Sequence, residues 1–262
     1  MGLLFYPRGG SAQVARYLAG ALDRKGWPVR LFTGSLGEPG TVANAATFFA
    51  GLDVAAADFT PALAAFDRGD DPIAAEIPLH PSFEDRVGAP DRLFASLDDR
   101  EAERQVAAWQ RLFAEGGAAE AAIAHLHHLT PQHEALARVA PNLPVVAHLH
   151  GTELKMLDGI RRRRELAVRL GTDLTGMAAG ATSGRAGAPL TDTERELFQS
   201  TRWEAWRHGD AWEARLQANA RRANQIVAIS PHDRDEAVRL LGIDASRVEV
   251  ISNGVEIGRA HV

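Results

Sequence analysis

The sequence predicts an α/β fold, a doubly wound and mostly parallel Rossmann-like sheet, and three observations carry that prediction. Short apolar runs recur along the chain and end in glycine or polar residues, as at residues 2–6 (GLLFY), 145–150 (VVAHLH) and 225–230 (QIVAIS). A parallel strand covered by helices on both faces reads in this way. Between the runs, apolar residues return at helical spacing, so strands and helices alternate. No internal repeat or linker divides the 262 residues, and a single large domain is expected.

Residues 2–6 stop at Pro7, Arg8, Gly9, Gly10 and Ser11, and Val14, Ala15, Tyr17, Leu18 and Leu22 follow at helical spacing. Gly9 and Gly10 permit positive φ and close approach of a ligand, and the helix start beyond them offers free N–H groups to an anion. The same pair also reads as a plain connecting turn. It is neither GxGxxG nor GxxxxGK[ST]. Residues 27–34 (WPVRLFTG) form the next strand, giving β-α-β with a right-handed crossover. Residues 53–59 are a third strand within an irregular stretch, 37–99, that includes LHPSFEDRVGAPD at 79–91. A loop of that length is functional or mobile, or else an excursion without chemistry. Residues 101–115 are an amphipathic helix with Val106, Trp109, Leu112 and Phe113 on one side.

Residues 121–129 (AAIAHLHHL) are a strand closing in histidines, followed by a helix at 132–139. In residues 145–153 (VVAHLHGTE), strand alternation puts His148 and His150 on one face and Leu149 on the other. One of the two histidines can then look into a cleft at the carboxyl edge, where open α/β sheets bind ligands. Because two successive strands end in His-Leu-His, His125, His127, His148 and His150 share one edge if those strands are neighbours. Arg161 to Arg164 read as a solvated helix face, and residues 171–189 as a flexible connection. Trp203, Trp206 and Trp212 read as core packing on one helical stretch. Residues 225–230 form a strand, Pro231 opens a helix that stops at Gly242, and 248–251 (VEVI) form the last strand.

The formal net charge of -5 argues against a nucleic-acid partner. No run approaches 18 apolar residues, and the start lacks a basic, cleavable leader. The absence of cysteine excludes disulfides and thiolate metal sites, so a cytoplasmic location is expected. Peripheral docking at the inner face of the membrane stays open, although no basic amphipathic helix argues for it.

Four stretches, PRGGSAQVARYLAGAL (7–22), VVAHLHGTE (145–153), QIVAISPHDRDEAVRLLGI (225–243) and VEVISNGVE (248–256), together resemble the amino-terminal domain of a GT-B glycosyltransferase of glycosyltransferase family 4. The resemblance implies transfer of a sugar, with retention, from a nucleotide diphosphate sugar to an unidentified acceptor, usually without an essential metal or other cofactor. It implies that Gly9, Gly10 and Ser11 lie beneath the donor diphosphate and sugar. His150 is implied to be the catalytic group, contacting the donor sugar's hydroxyls or stabilising developing charge. Thr152, Glu153, Asn253 and Gly254 are implied to serve the acceptor or the passage to a second domain. Acceptor specificity is expected from residues 79–91 and from the segment after Glu153.

In such enzymes a second domain supplies the basic residues for the phosphates. Residues 1–256 are therefore expected to be the acceptor-side domain, with the donor-binding domain absent and little turnover by this chain alone. Residues 257–262 (IGRAHV) are expected to be a non-native tail of a truncated gene model, which re-amplifying the locus from genomic DNA would check. Two other readings stand beside this one. A non-catalytic Rossmann-like binding module is the first. The second is a histidine-rich metallohydrolase, disfavoured because HLHHLTPQH lacks an aspartate and alternation sends His128 away from His127. No metal site is expected, and His125, His127, His128, His133 and His148 are taken as structural. A dehydrogenase is disfavoured by the missing GxGxxG and by the lack of an acidic residue closing the second strand.

Overall fold

A computed structural model describes residues 1–181 and 189–254. Among them, seven strands form one all-parallel sheet: β1 (Gly2–Leu3), β2 (Arg30–Ser35), β3 (Asp53–Asp58), β4 (Ala124–His127), β5 (Val145–His148), β6 (Gln225–Ala228) and β7 (Val248–Val250). Their order is β3-β2-β1-β4-β5-β6-β7. The chain winds outward from β1 to β3, returns to the other side of β1, and winds outward again from β4 to β7. The reversal between β1 and β4 is the topological switch point, where open sheets form a ligand crevice. Between the strands run α1 (Gly9–Arg24), α2 (Ala45–Phe48), α3 (Thr60–Asp67), α4 (Asp99–Glu115), α5 (Pro131–Val139), α6 (Thr152–Arg169), α7 (Leu174–Ala178), α8 (Asp192–Ser200), α9 (Gly209–Arg222) and α10 (Pro231–Leu241). Among the described residues, no helix is long and apolar enough to cross a membrane.

The helix ends follow from local chemistry. Asp98 and Glu101 form a capping box that opens α4, and Ser230 accepts from the Asp233 amide where Pro231 starts α10. Gly242 closes α10 with φ of 64°, a left-handed value that suits a residue without Cβ. Register assigns the faces of the sheet: Leu3, His127, His148 and Val227 share one face, while Gly2, Leu126, Ala147 and Ile226 share the other. On the second face Phe32 packs edge-on against Phe113 of α4, with ring centroids 5.0 Å apart.

Several segments differ from the sequence reading. Strand β1 pairs over two residues only, yet the run continues buried through Leu4 and Phe5. The Phe5 carbonyl accepts from the Gly34 amide and from Thr33 Oγ1, which draws the chain toward β2. Strand β2 starts at Arg30, and Trp27 is exposed. Residues 37–99 are not a bare loop. They hold β3, α2 and α3, and they bury Ile73, Leu79, Phe83, Leu93 and Phe94 in the main core. The tryptophans occupy two pieces, a 3-10 turn (Trp203–Trp206) and α9; Trp206 and Trp212 are buried, as core packing requires.

The arginine run is not simply solvated either. Arg161 and Arg164 both pair with Glu213 of α9, and Arg163 lies over the Trp206 ring at 3.8 Å. Only Arg162, paired with Asp158 at 3.6 Å, keeps the exposed character read from the sequence. Within 171–189, α7 is ordered helix, and residues 182–188 lie outside the described residues, as do 255–262 with the expected non-native tail.

Candidate functional site

Strands β4 and β5 are neighbours, and their register pairs His127 with His148. The alternation anticipated from the sequence therefore brings four imidazoles to one edge. His125 Nε2 stands 3.1 Å from His148 Nδ1, and His127 Nδ1 stands 2.9 Å from His150 Nε2. The rings form a stack: His127 on His148 at 5.1 Å, and His148 on His150 at 4.6 Å with planes 12° apart. In each nitrogen–nitrogen contact between neutral rings, one ring donates and the other accepts, so the tautomers are linked.

His128 joins this group, contrary to the expected alternation. Its φ is 64°, unique among the described non-glycine residues, and the left-handed step at the end of β4 breaks the strand's period. Its ring then sits 4.5 Å from that of His150 and edge-on to Phe5 at 5.2 Å. Its Nδ1 lies 3.3 Å from Glu153 Oε2.

Electrostatics keep the stack neutral. Burial pushes His125 down to about 3 and His148 down to about 4, and neighbouring imidazoles add to the effect. His127 and His150 are depressed further, chiefly by burial and then by the surrounding rings. At neutral pH these side chains are hydrogen-bonding groups, not cations. Glu153 carries the negative charge below them and has no exposed surface. Burial raises its pKa, but the interaction with His128 and the His150 amide outweighs that penalty and holds the carboxyl below its ordinary value. The carboxylate accepts from the His150 N–H at 3.3 Å and from Thr152 Oγ1 at 3.4 Å, so it ties the end of β5 to the first turn of α6.

Gly151 makes that turn possible. Its φ is 85°, and an added Cβ would lie 3.2 Å from Asp233 Oδ1. At the other side of the switch point, Gly9 adopts φ of 66° and Gly10 follows. A Cβ on either would meet nothing within 4 Å. The bend is open rather than filled, and α1 begins there with no side-chain cap and no acidic residue in its first turn. Ser11 is half-buried in that turn. Arg8, just before it, pairs with Asp91 and lies over the Tyr6 ring.

Two cavities adjoin these elements. One, of about 550 Å³, runs between Phe83, Glu84 and Asp85 of the long excursion and Gly151, Thr152, Lys155, Arg162 and Arg163 of the α6 side, with Trp206, His232, Asp233 and Glu236 completing its wall. It joins the two stretches from which acceptor specificity is expected. The second, of about 770 Å³, lies on the sheet face that carries the histidines and is lined by Tyr17, Leu18, Phe48, His125, His148, Val227, Asn253 and Gly254. Thr152 thus lines the first cavity, Glu153 is buried beside it, and Asn253 and Gly254 line the second.

Three side chains that line the first cavity, Arg163, Trp206 and Phe83, were not singled out by the sequence as site residues. The roles of Arg163 and Trp206 depend on contact across 43 residues, which no local pattern signals, whereas Phe83 was visible only as part of HPSFEDR. Among the described residues, His125, His127 and His148 are the group whose geometry suits a metal, with one ring nitrogen from each lying within 4.8 Å of the others.

A family model described as Glycosyltransferase Family 4 matches residues 8–259. No curated protein matches the chain.

Proposed function

The chain belongs to glycosyltransferase family 4, and on that premise we propose that it is the acceptor-side domain of a retaining enzyme that uses a nucleotide diphosphate sugar. The observation that carries this reading is the first cavity, in which the 79–91 excursion and the start of α6 face one another beside the carboxyl edge of β5. An acceptor held there would lie next to the strand end that presents His150. The donor's diphosphate would approach the open Gly9–Gly10 bend, where bulkier residues would collide with it and the uncapped amides of α1 favour an anion.

His150 is neutral in this reading. It acts on sugar hydroxyls by hydrogen bonding, with its ring orientation fixed by His127 and its backbone amide held by Glu153. Neutralising the leaving diphosphate falls to a donor-side domain reached through Asn253 and Gly254, because Arg8 is already paired with Asp91.

The test is direct. The chain is incubated with a panel of nucleotide diphosphate sugars, alone and joined after Gly254 to a family donor-binding domain, and products are followed by proton NMR. Little hydrolysis alone, and transfer with the donor's anomeric configuration retained in the joined form, is the expected outcome. Efficient transfer by the chain alone, or inversion, would overturn the proposal.

A further inference from the structure

We propose that His125, His127 and His148 form a binding site for one divalent transition-metal ion of the class that prefers imidazole, with zinc as the reference ion. Three observations converge on it. One ring nitrogen from each residue lies within 4.8 Å of the other two. His125 Nε2 and His148 Nδ1 are already 3.1 Å apart, and two nitrogens each about 2.1 Å from one ion stand roughly 3.0–3.4 Å apart at angles between square and tetrahedral. Finally, His127 Nε2 is buried without a hydrogen-bond partner, in a side chain that is 0% exposed. Buried polar atoms ordinarily find partners, and an ion is one way to supply them.

The frame around the three rings suits such a role. All three project from paired strands whose register fixes His127 opposite His148, so the donors need little ordering on binding. His125 and His148 open onto the second cavity, which gives an ion a route in and leaves room for water as a fourth ligand. Three neutral nitrogen donors with neither carboxylate nor thiolate select against magnesium and calcium. His127 Nδ1 meets His150 Nε2 at 2.9 Å. With His127 Nε2 on the ion, its Nδ1 carries the proton and donates to His150, which fixes the His150 proton on Nδ1. An occupied site would therefore set the hydrogen-bonding direction of the histidine that the proposed function places against the donor sugar; this last consequence rests on that reading.

Calorimetric titration of the tag-free, chelator-stripped chain with zinc chloride tests the site, with cobalt(II) absorption as a second readout. One equivalent should bind, and the cobalt form should show visible bands of a four-coordinate nitrogen-rich site. His125 is half-buried, so His125→Ala is expected to keep the melting temperature while weakening zinc binding at least roughly tenfold, the loss that even an outer-shell partner can cause. His208→Gln, remote from the trio in sequence, should leave affinity unchanged. Absence of a stoichiometric binding event, or equal affinity in His125→Ala and the parent chain, would overturn the site. Since the titration needs neither donor nor acceptor, its failure would leave the transferase reading intact, and failure of transfer would leave the metal site intact.

Discussion

The two sides of α6's first turn are built on opposite electrostatic plans. Toward the sheet, His127, His148 and His150 stack as buried, neutral rings. Toward solvent, the first cavity is walled by Lys155, Arg162, Arg163, Glu84, Asp85, Asp158 and Glu236, many of them ion-paired. Burial explains the contrast. A charge in the open cavity keeps its water and is screened, whereas a charge in the stack would lose hydration that its neighbours do not replace. Under the proposed function this contrast would divide the labour, with orientation through hydrogen bonds on the inner side and recognition through charge on the outer side.

Acid should break this comparison most forcefully. His80 and His133, buried near the same edge, are pushed down to about 3 and about 4, chiefly by burial. For His80 the neighbouring Arg8 and Arg86 lower it further while the Pro81 carbonyl and Asp91 oppose; for His133 Arg222 lowers it while the Thr130 carbonyl and Glu153 oppose. The folded pKa values lie below the unfolded 6.5, so the unfolded chain binds more protons between roughly pH 4 and 6.5. Stability is therefore complete above that window and is lost as pH falls through it. The two residues together should remove on the order of 5 kcal/mol between pH 7 and 4.5, enough to unfold a domain of ordinary stability. Urea midpoints measured across that range check the sign, and a flat profile would contradict neutral burial. His80→Gln should remove its own share, about half of what this pair contributes, and leave the part that the buried histidines of β4 and β5 add.

Glu153 marks the boundary between the two plans, and its removal should sharpen the contrast. Glu153→Ala leaves the His150 amide, the Thr152 hydroxyl and His128 Nδ1 without their shared acceptor. A loss of about 3 kcal/mol is expected in denaturant unfolding, typical of breaking a buried charged contact. Glu153→Gln keeps an acceptor oxygen and should cost less. Equal stability in Glu153→Ala and the parent chain would mean that the turn does not depend on this carboxylate.

Sequence patterning made the inner plan far more legible than the outer one. Strand alternation placed His125, His127, His148 and His150 correctly because β4 and β5 are adjacent, and adjacency follows from their succession in a parallel sheet. His128 was misplaced, since a left-handed residue has no signature when it is not glycine. The arginine run was misread because a helix face looks solvated until its partner is known, and Glu213 lies 49 residues beyond Arg164. Residues 37–99 looked irregular because their apolar residues serve a core built by other segments, not a local period of their own. The glycine bend was readable from composition, but its open surroundings came only from the fold.

The outer plan predicts separable effects from its own residues. Arg163 covers the Trp206 ring at 3.8 Å, and burial lowers its pKa to about 10, which leaves it charged at neutral pH. Arg163→Ala should destabilise by about 1–2 kcal/mol through loss of that stacking. Lys155 projects into the same cavity from an exposed position, so Lys155→Ala should change stability by less than about 0.5 kcal/mol. If the cavity holds the acceptor, the same substitution should raise the acceptor's KM with kcat nearly unchanged, because a contact made equally in the ground and transition states contributes binding alone. A fall in kcat without a change in KM would move Lys155 from acceptor recognition to the reacting centre and would erase the division between the two sides of the turn.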